Sequence, residues 1–126
     1  MAGEERRQAV EAEAGKNVPC SHEAEKAVLG AMLIDALAAQ TALSKLAAES
    51  FYFARHQVIY SAIKALVGGR KPVDSVTVQD YLKTTAQLGD VGADYFVELM
   101  MYPTAANVEA HIEIVRGKQL LREIGR

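Results

Sequence analysis

An all-α fold is predicted by three observations. Apolar residues recur at spacings of three and four along most of the chain, and helix-capping residues stand at the head of those runs. Strand-forming residues gather in only one short stretch, residues 73–78. With 126 residues, half of them apolar, the chain is sized for a single domain around one core.

Residues 1–18 mix Glu4, Glu5, Arg6, Arg7, Glu11, Glu13 and Lys16 with small alanines. That is too little apolar surface to offset the entropy of ordering, so a mobile arm is predicted. Order begins at Pro19. Ser21 is an N-cap, and Glu23 and Glu25 fall in a first turn where carboxylates complement the helix dipole. Ala24, Ala27, Val28, Ala31 and Ile34 form one stripe, which Leu29, Met32 and Leu33 widen until it covers most of the circumference, as in a central helix. Gly30 in its middle marks either a close approach of another backbone or a tolerated glycine. Asp35 is placed to stop that helix and cap a second one, with Leu37, Leu43, Leu46 and Ala47 along one side.

Phe51, Tyr52 and Phe53 read as a core corner. Residues 54–67 carry Val58, Ile59, Ala62, Ile63 and Leu66 at helical spacing, and Gly68 and Gly69 follow where a left-handed C-cap is wanted. Residues 73–78 suit strand or helix by composition; Asp74 as N-cap and the spacing of Val78, Tyr81 and Leu82 favour helix. Residues 88–92 read as a turn, and Tyr95, Phe96, Leu99 and Met100 as a short helix ending at Pro103. A last helix opens at Thr104 with two stripes, Val108, Ile112 and Val115 on one side and Ile114, Leu121 and Ile124 on the other. Two stripes call for two partners, so this helix is expected to leave the body and meet a second helix or a second chain. Gly30, Phe51, Ile59, Tyr60 and Asp74 are assigned to the fold, as core, corner or cap.

Several function classes are disfavoured. Cys20 is the single cysteine, so no disulfide scaffold is built, and no apolar run reaches the length of a bilayer span. With a charged N-terminus as well, a cytoplasmic protein with no membrane partner is predicted. A net charge of −2 supplies no field to attract phosphate backbones; the basic residues Arg116, Lys118, Arg122 and Arg126 are read as a solvated helix end. His22, His56, His111 and Cys20 are scattered, which argues against a metal site. No phosphate loop of the GxxxxGK[ST] type is present. Glu23 with Glu25, and Asp90 with Asp94, stand at helix starts where capping accounts for them. Tyr95, Met100, Met101, Tyr102 and Ile124 are left over, as interface if exposed and core if not.

Taken in order, Pro19, Glu23-Ala24-Glu25 and residues 28–35 (VLGAMLID) resemble the opening of the N-terminal domain of bacterial DnaB-type replicative helicases. Phe51-Tyr52 with His56, Ile59-Tyr60 and Ala62-Ile63 continue the resemblance, as do Pro72-Val73-Asp74, residues 89–99, residues 103–109 (PTAANVE) and the stretch through Arg122. The resemblance implies a compact helical head of about five helices over residues 19–103, then the first long helix of a helical hairpin over 104–126. The second arm, the linker and the ATPase domain would lie outside this chain. It further implies self-pairing into a trimer of dimers that forms the collar of a hexameric ring, docking of the primase C-terminal domain, and in many bacteria contact with a helicase loader. The parent would be an ATP-dependent 5′–3′ DNA helicase. ATP and magnesium would belong to its separate motor domain, with no cofactor here, and single-stranded DNA would pass through the ring without tight binding by this domain. Tyr95, Leu121, Arg122 and Ile124 are the partner contacts the pattern suggests. Gly117 and Cys20 depart from the family pattern, Gly117 at the expense of helix rigidity. Two other readings stand beside it: a small helical DNA-binding module, and a small enzyme using His56 or His111 with a nearby carboxylate.

Overall fold

The Ser21 hydroxyl accepts the Ala24 N–H at 3.1 Å and starts helix α1, His22–Ile34. This computed structural model describes residues 17–101 and 105–125. The predicted arm falls mostly on residues 1–16, and Tyr102, Pro103, Thr104 and Arg126 also lie outside the described residues.

Asp35 ends α1 and accepts the Leu37 N–H at 2.9 Å, so the same residue caps α2, Ala36–Lys45. The face of α2 meets the expectation in part, with Leu46 buried and Leu43 packed against the core. Leu37 points outward at 72% exposure, while Ala38, Ala39 and Ala42 face the core, because α2 lies close to α1 and small side chains suit the gap. A single 3₁₀ turn, Ala48–Ser50, leads to the corner, where Phe51 and Phe53 are buried and Tyr52 is half-buried.

Helix α3, Ala54–Gly68, buries Ile59, Tyr60, Ala62, Ile63 and Leu66. Its end corrects the glycine reading. Gly69 keeps φ −86°, and the left-handed position falls on Arg70, φ 59°. The Lys71 N–H bonds Leu66 O and the Arg70 N–H bonds Val67 O, the paired bonds of a Schellman cap set one residue beyond the glycines. Residues 73–78 resolve as helix: Asp74 accepts the Thr77 N–H at 2.8 Å, Thr77 Oγ1 accepts the Asp74 N–H at 2.9 Å, and α4 runs Ser75–Thr84. A second Schellman cap closes it, with Ala86 left-handed at φ 59°.

The predicted turn at residues 88–92 is instead one helical turn, α5, Leu88–Val91. Val91 is fully buried, and that apolar anchor draws the turn onto the core. Gly92, at φ 88°, then redirects the chain into α6, Ala93–Leu99. At Gly30 the close-approach reading is the right one: a Cβ there would stand 2.7 Å from the Leu99 carbonyl oxygen.

Helix α7, Val108–Ile124, starts four residues later than expected. It does not leave the body. Val108, Ile112 and Val115 pack inward against α1 and α2, so the described residues form one body in which α1 touches α2, α3, α6 and α7. Among the described residues there are seven α-helices and no strand. No helix of the described residues is long and apolar enough to cross a membrane.

Candidate interaction surface

The face of α7 that turns away from the core carries Ile114, Leu120, Leu121 and Ile124, at 44%, 50%, 51% and 80% exposure. The inner stripe of the same helix is at most 8% exposed. This helix therefore carries one buried and one bare apolar face. Gly117 lies between the two ends of the outer stripe, and a Cβ there would meet open space.

The far end of α7 is fastened to the body by Arg122. Its Nη1 donates to Pro19 O at 2.8 Å and its Nη2 to Ser50 O at 3.0 Å, and the guanidinium lies 5.5 Å from the centre of the Tyr52 ring. Beside this latch runs an open groove of ≈ 580 Å³, lined by Tyr52, Gln57, Glu49, Leu121, Pro19 and other residues. The Cys20 thiol sits close by. Burial raises its pKa above the ordinary value and the Glu25 carboxylate adds to the rise, while Arg122 and Lys118 oppose it.

Of the four residues expected at partner contacts, Leu121 and Ile124 lie on the exposed face. Arg122 lies between them, with its guanidinium already engaged by carbonyls of the body. Tyr95 is a correction: it is 0% exposed, its hydroxyl 2.6 Å from His56 Nε2 and its ring under the Arg55 guanidinium at 3.4 Å. A ring so enclosed is core and offers no surface to a partner. Met101, by contrast, is 64% exposed.

The His56 arm of the enzyme reading meets an obstacle of access. His56 has a carboxylate 2.8 Å away, on Glu25, but the two residues are 0% and 1% exposed, so no substrate reaches them. Among the described residues no three His, Cys, Asp or Glu side chains gather where they could hold a metal ion. Sequence reasoning missed Tyr52 as a groove wall and Glu25 as an interior group. Their hydrogen-bond partners lie 27 and 31 positions away, and local spacing carries no trace of such pairings.

This geometry is that of a helical body with an unpaired helix face, and comparison with known proteins gives it a family. The DnaB-like helicase N terminal domain family matches residues 17–117. The chain belongs to that family. This DnaB-type domain is 44% identical over 110 residues to the replicative DNA helicase DnaB of Geobacillus stearothermophilus, covering 86% of the chain and 24% of that protein. It is 42% identical over 118 residues to the replicative DNA helicase DnaB of Rhodothermus marinus, covering 92% of the chain and 12% of that protein. The chain therefore spans a quarter or less of those relatives' lengths. Its fold superposes on the crystal structure of the N-terminal domain of DnaB helicase from Mycobacterium tuberculosis with a TM-score of 0.83, at 38% identity, over 86% of this chain and 77% of that one. The family match stops at Gly117, so the Arg122 latch and the outer residues Leu121 and Ile124 of this DnaB-type domain lie past it.

Proposed function

We propose that this domain is a non-catalytic assembly and docking module of a replicative DNA helicase. The outer face of α7, centred on Leu121 and Ile124, pairs with a second copy or a second hairpin arm, and pairs so formed build a trimer of dimers at the collar of the ring. The collar also receives the C-terminal domain of primase, and in some bacteria a helicase loader, raising their local concentration at the fork. Unwinding, with its ATP, magnesium and single-stranded DNA, falls to a motor domain with its own phosphate loop. The observation that carries this reading is the division of α7 into a buried stripe and a bare apolar stripe.

Sedimentation of this chain, alone and mixed with the C-terminal domain of the cognate primase at moderate salt, tests it. A heavier species in either case, abolished by Ile124→Asp with helix content unchanged, is the expected result. A chain that stays monomeric and unbound at tens of micromolar, even when joined to the rest of the hairpin, overturns it. The DNA-binding alternative gains no support from α7, since Arg116 and Arg122 each point a guanidinium N–H at a carbonyl of the body, that of Lys45 in the first case.

A further inference from the structure

Beneath the Tyr52 corner a chain of polar groups crosses the interior. Both oxygens of the buried Glu25 carboxylate are in use: Oε1 lies 2.8 Å from His56 Nδ1, and Oε2 accepts the Tyr52 N–H at 2.8 Å. On the other side of the imidazole, Nε2 is 2.6 Å from the Tyr95 hydroxyl, which lies 3.5 Å from His22 Nε2. The groups that face His56 are thus Glu25 and His22 from α1 and Tyr95 from α6, with Arg55 beside it on α3 stacked over the Tyr95 ring and the Cys20 thiol near Glu25.

The chain has a direction. A backbone N–H can only donate, so Oε2 is committed to the Tyr52 N–H and Oε1 is left to His56 Nδ1, a bond that a hydrogen on Nδ1 completes. The corner is held from both sides: Glu25 takes the Tyr52 N–H from within, and Arg122 takes Ser50 O from without while facing the Tyr52 ring. Arg122 is the latch of α7, flanked by Leu121 and close to Ile124.

We propose that the buried Glu25–His56 pair positions the outer face of α7, acting through the Tyr52 corner and the Arg122 latch. This rests on the reading of that face as the assembly surface and adds what holds it in place. Neither residue touches a partner; both are positioning residues.

Nitrogen-15 spectroscopy of the whole chain separates this from a merely structural role. In Glu25→Gln the Tyr52 N–H compels the amide oxygen to face it, so the amide NH₂ faces His56. Nδ1 then becomes the acceptor, the hydrogen moves to Nε2, and the Tyr95 hydroxyl turns toward His22. The expected result is an Nδ1 hydrogen in the parent and an Nε2 hydrogen in the variant, with the helix content retained. With an amide in place of the carboxylate both bonds weaken, so the Arg122 Nη hydrogens should exchange about tenfold faster and self-association weaken about tenfold, and Arg122→Ala should add no further loss in the Glu25→Gln background. His56→Asn, whose amide can still donate to Glu25, should restore the Arg122 protection that His56→Leu loses, and this pair decides the matter if Glu25→Gln does not fold.

An Nδ1 without hydrogen in the parent overturns the proposal. So does an Arg122 signal indifferent to Glu25→Gln, or additive losses in the double variant. Should the chain stay monomeric and unbound even when joined to the rest of the hairpin, the assembly reading fails alone, and the Arg122 exchange rates still decide the positioning claim.

Discussion

At the scale of single residues, the core holds polar groups whose placement depends on partners far along the chain. Tyr60 is fully buried, donates its hydroxyl hydrogen to Leu46 O at 2.6 Å, and packs its ring 5.1 Å from that of Phe51. Burial raises its pKa above the ordinary 10.0, and Glu49 pushes in the same direction. In the unfolded chain the phenol ionises near its ordinary pKa, while in the folded chain it keeps its proton. Stability from this group is therefore fully present below about pH 10 and declines as pH rises beyond it, because the unfolded state is the one that loses the proton. Urea midpoints between pH 8 and 11 should fall more steeply for the parent than for Tyr60→Phe. That variant should start about 1 kcal/mol lower at neutral pH for want of the bond to Leu46. The assignment of Tyr60 to the fold agrees with its burial on α3. Tyr95 was not legible in the sequence, since an aromatic on a short helix reads equally as core or interface, and only the Arg55 and His56 side chains from α3 decide between them.

At the scale of elements, starts were more legible than ends. Ser21, Asp35 and Asp74 cap as their side-chain chemistry dictates, each accepting an N–H two or three residues on. Helix ends depend on where packing lets the last turn stop. The left-handed position after α3 falls one residue beyond its glycines and α4 has no glycine at its end, so Arg70 and Ala86 take left-handed conformations that cost an L-residue about 1 kcal/mol each. Ala86→Gly should therefore raise the unfolding free energy by about 0.5–1 kcal/mol, read as a higher urea midpoint at unchanged slope. No gain there would mean that the freedom glycine adds to the unfolded chain cancels the relief. The α5 turn is the clearest misreading. Its residues Gly89, Asp90 and Gly92 spell a turn, and the burial of Val91 makes it helical.

At the scale of the whole molecule, α1 is the hub. It buries Val28, Leu29, Ala31, Met32 and Leu33, and it meets four other helices, one of them at a distance only glycine permits. Its amides should exchange with solvent only when the whole domain unfolds, and native-state hydrogen exchange in low urea should show for them the full global slope. The amides of α5, a single turn, should open locally and show almost none. Equal slopes for the two would mean the described body unfolds as one unit. The central place of α1 was readable from an apolar stripe too wide for a surface helix. The docking of α7 along the body was not, because its two stripes looked equivalent in the sequence, and only the positions of α1 and α2 make one of them inner.

The bond from Arg122 to Pro19 O joins residues 103 positions apart, and it brings the two ends of the described fold to one corner. Topologically the domain is nearly a closed loop. A short peptide bridging the two ends of the described fold would complete the ring, so the sequence order of these helices could be permuted with little change to their packing. For the same reason, a label or tether attached at either end reports on, and pulls from, the same place.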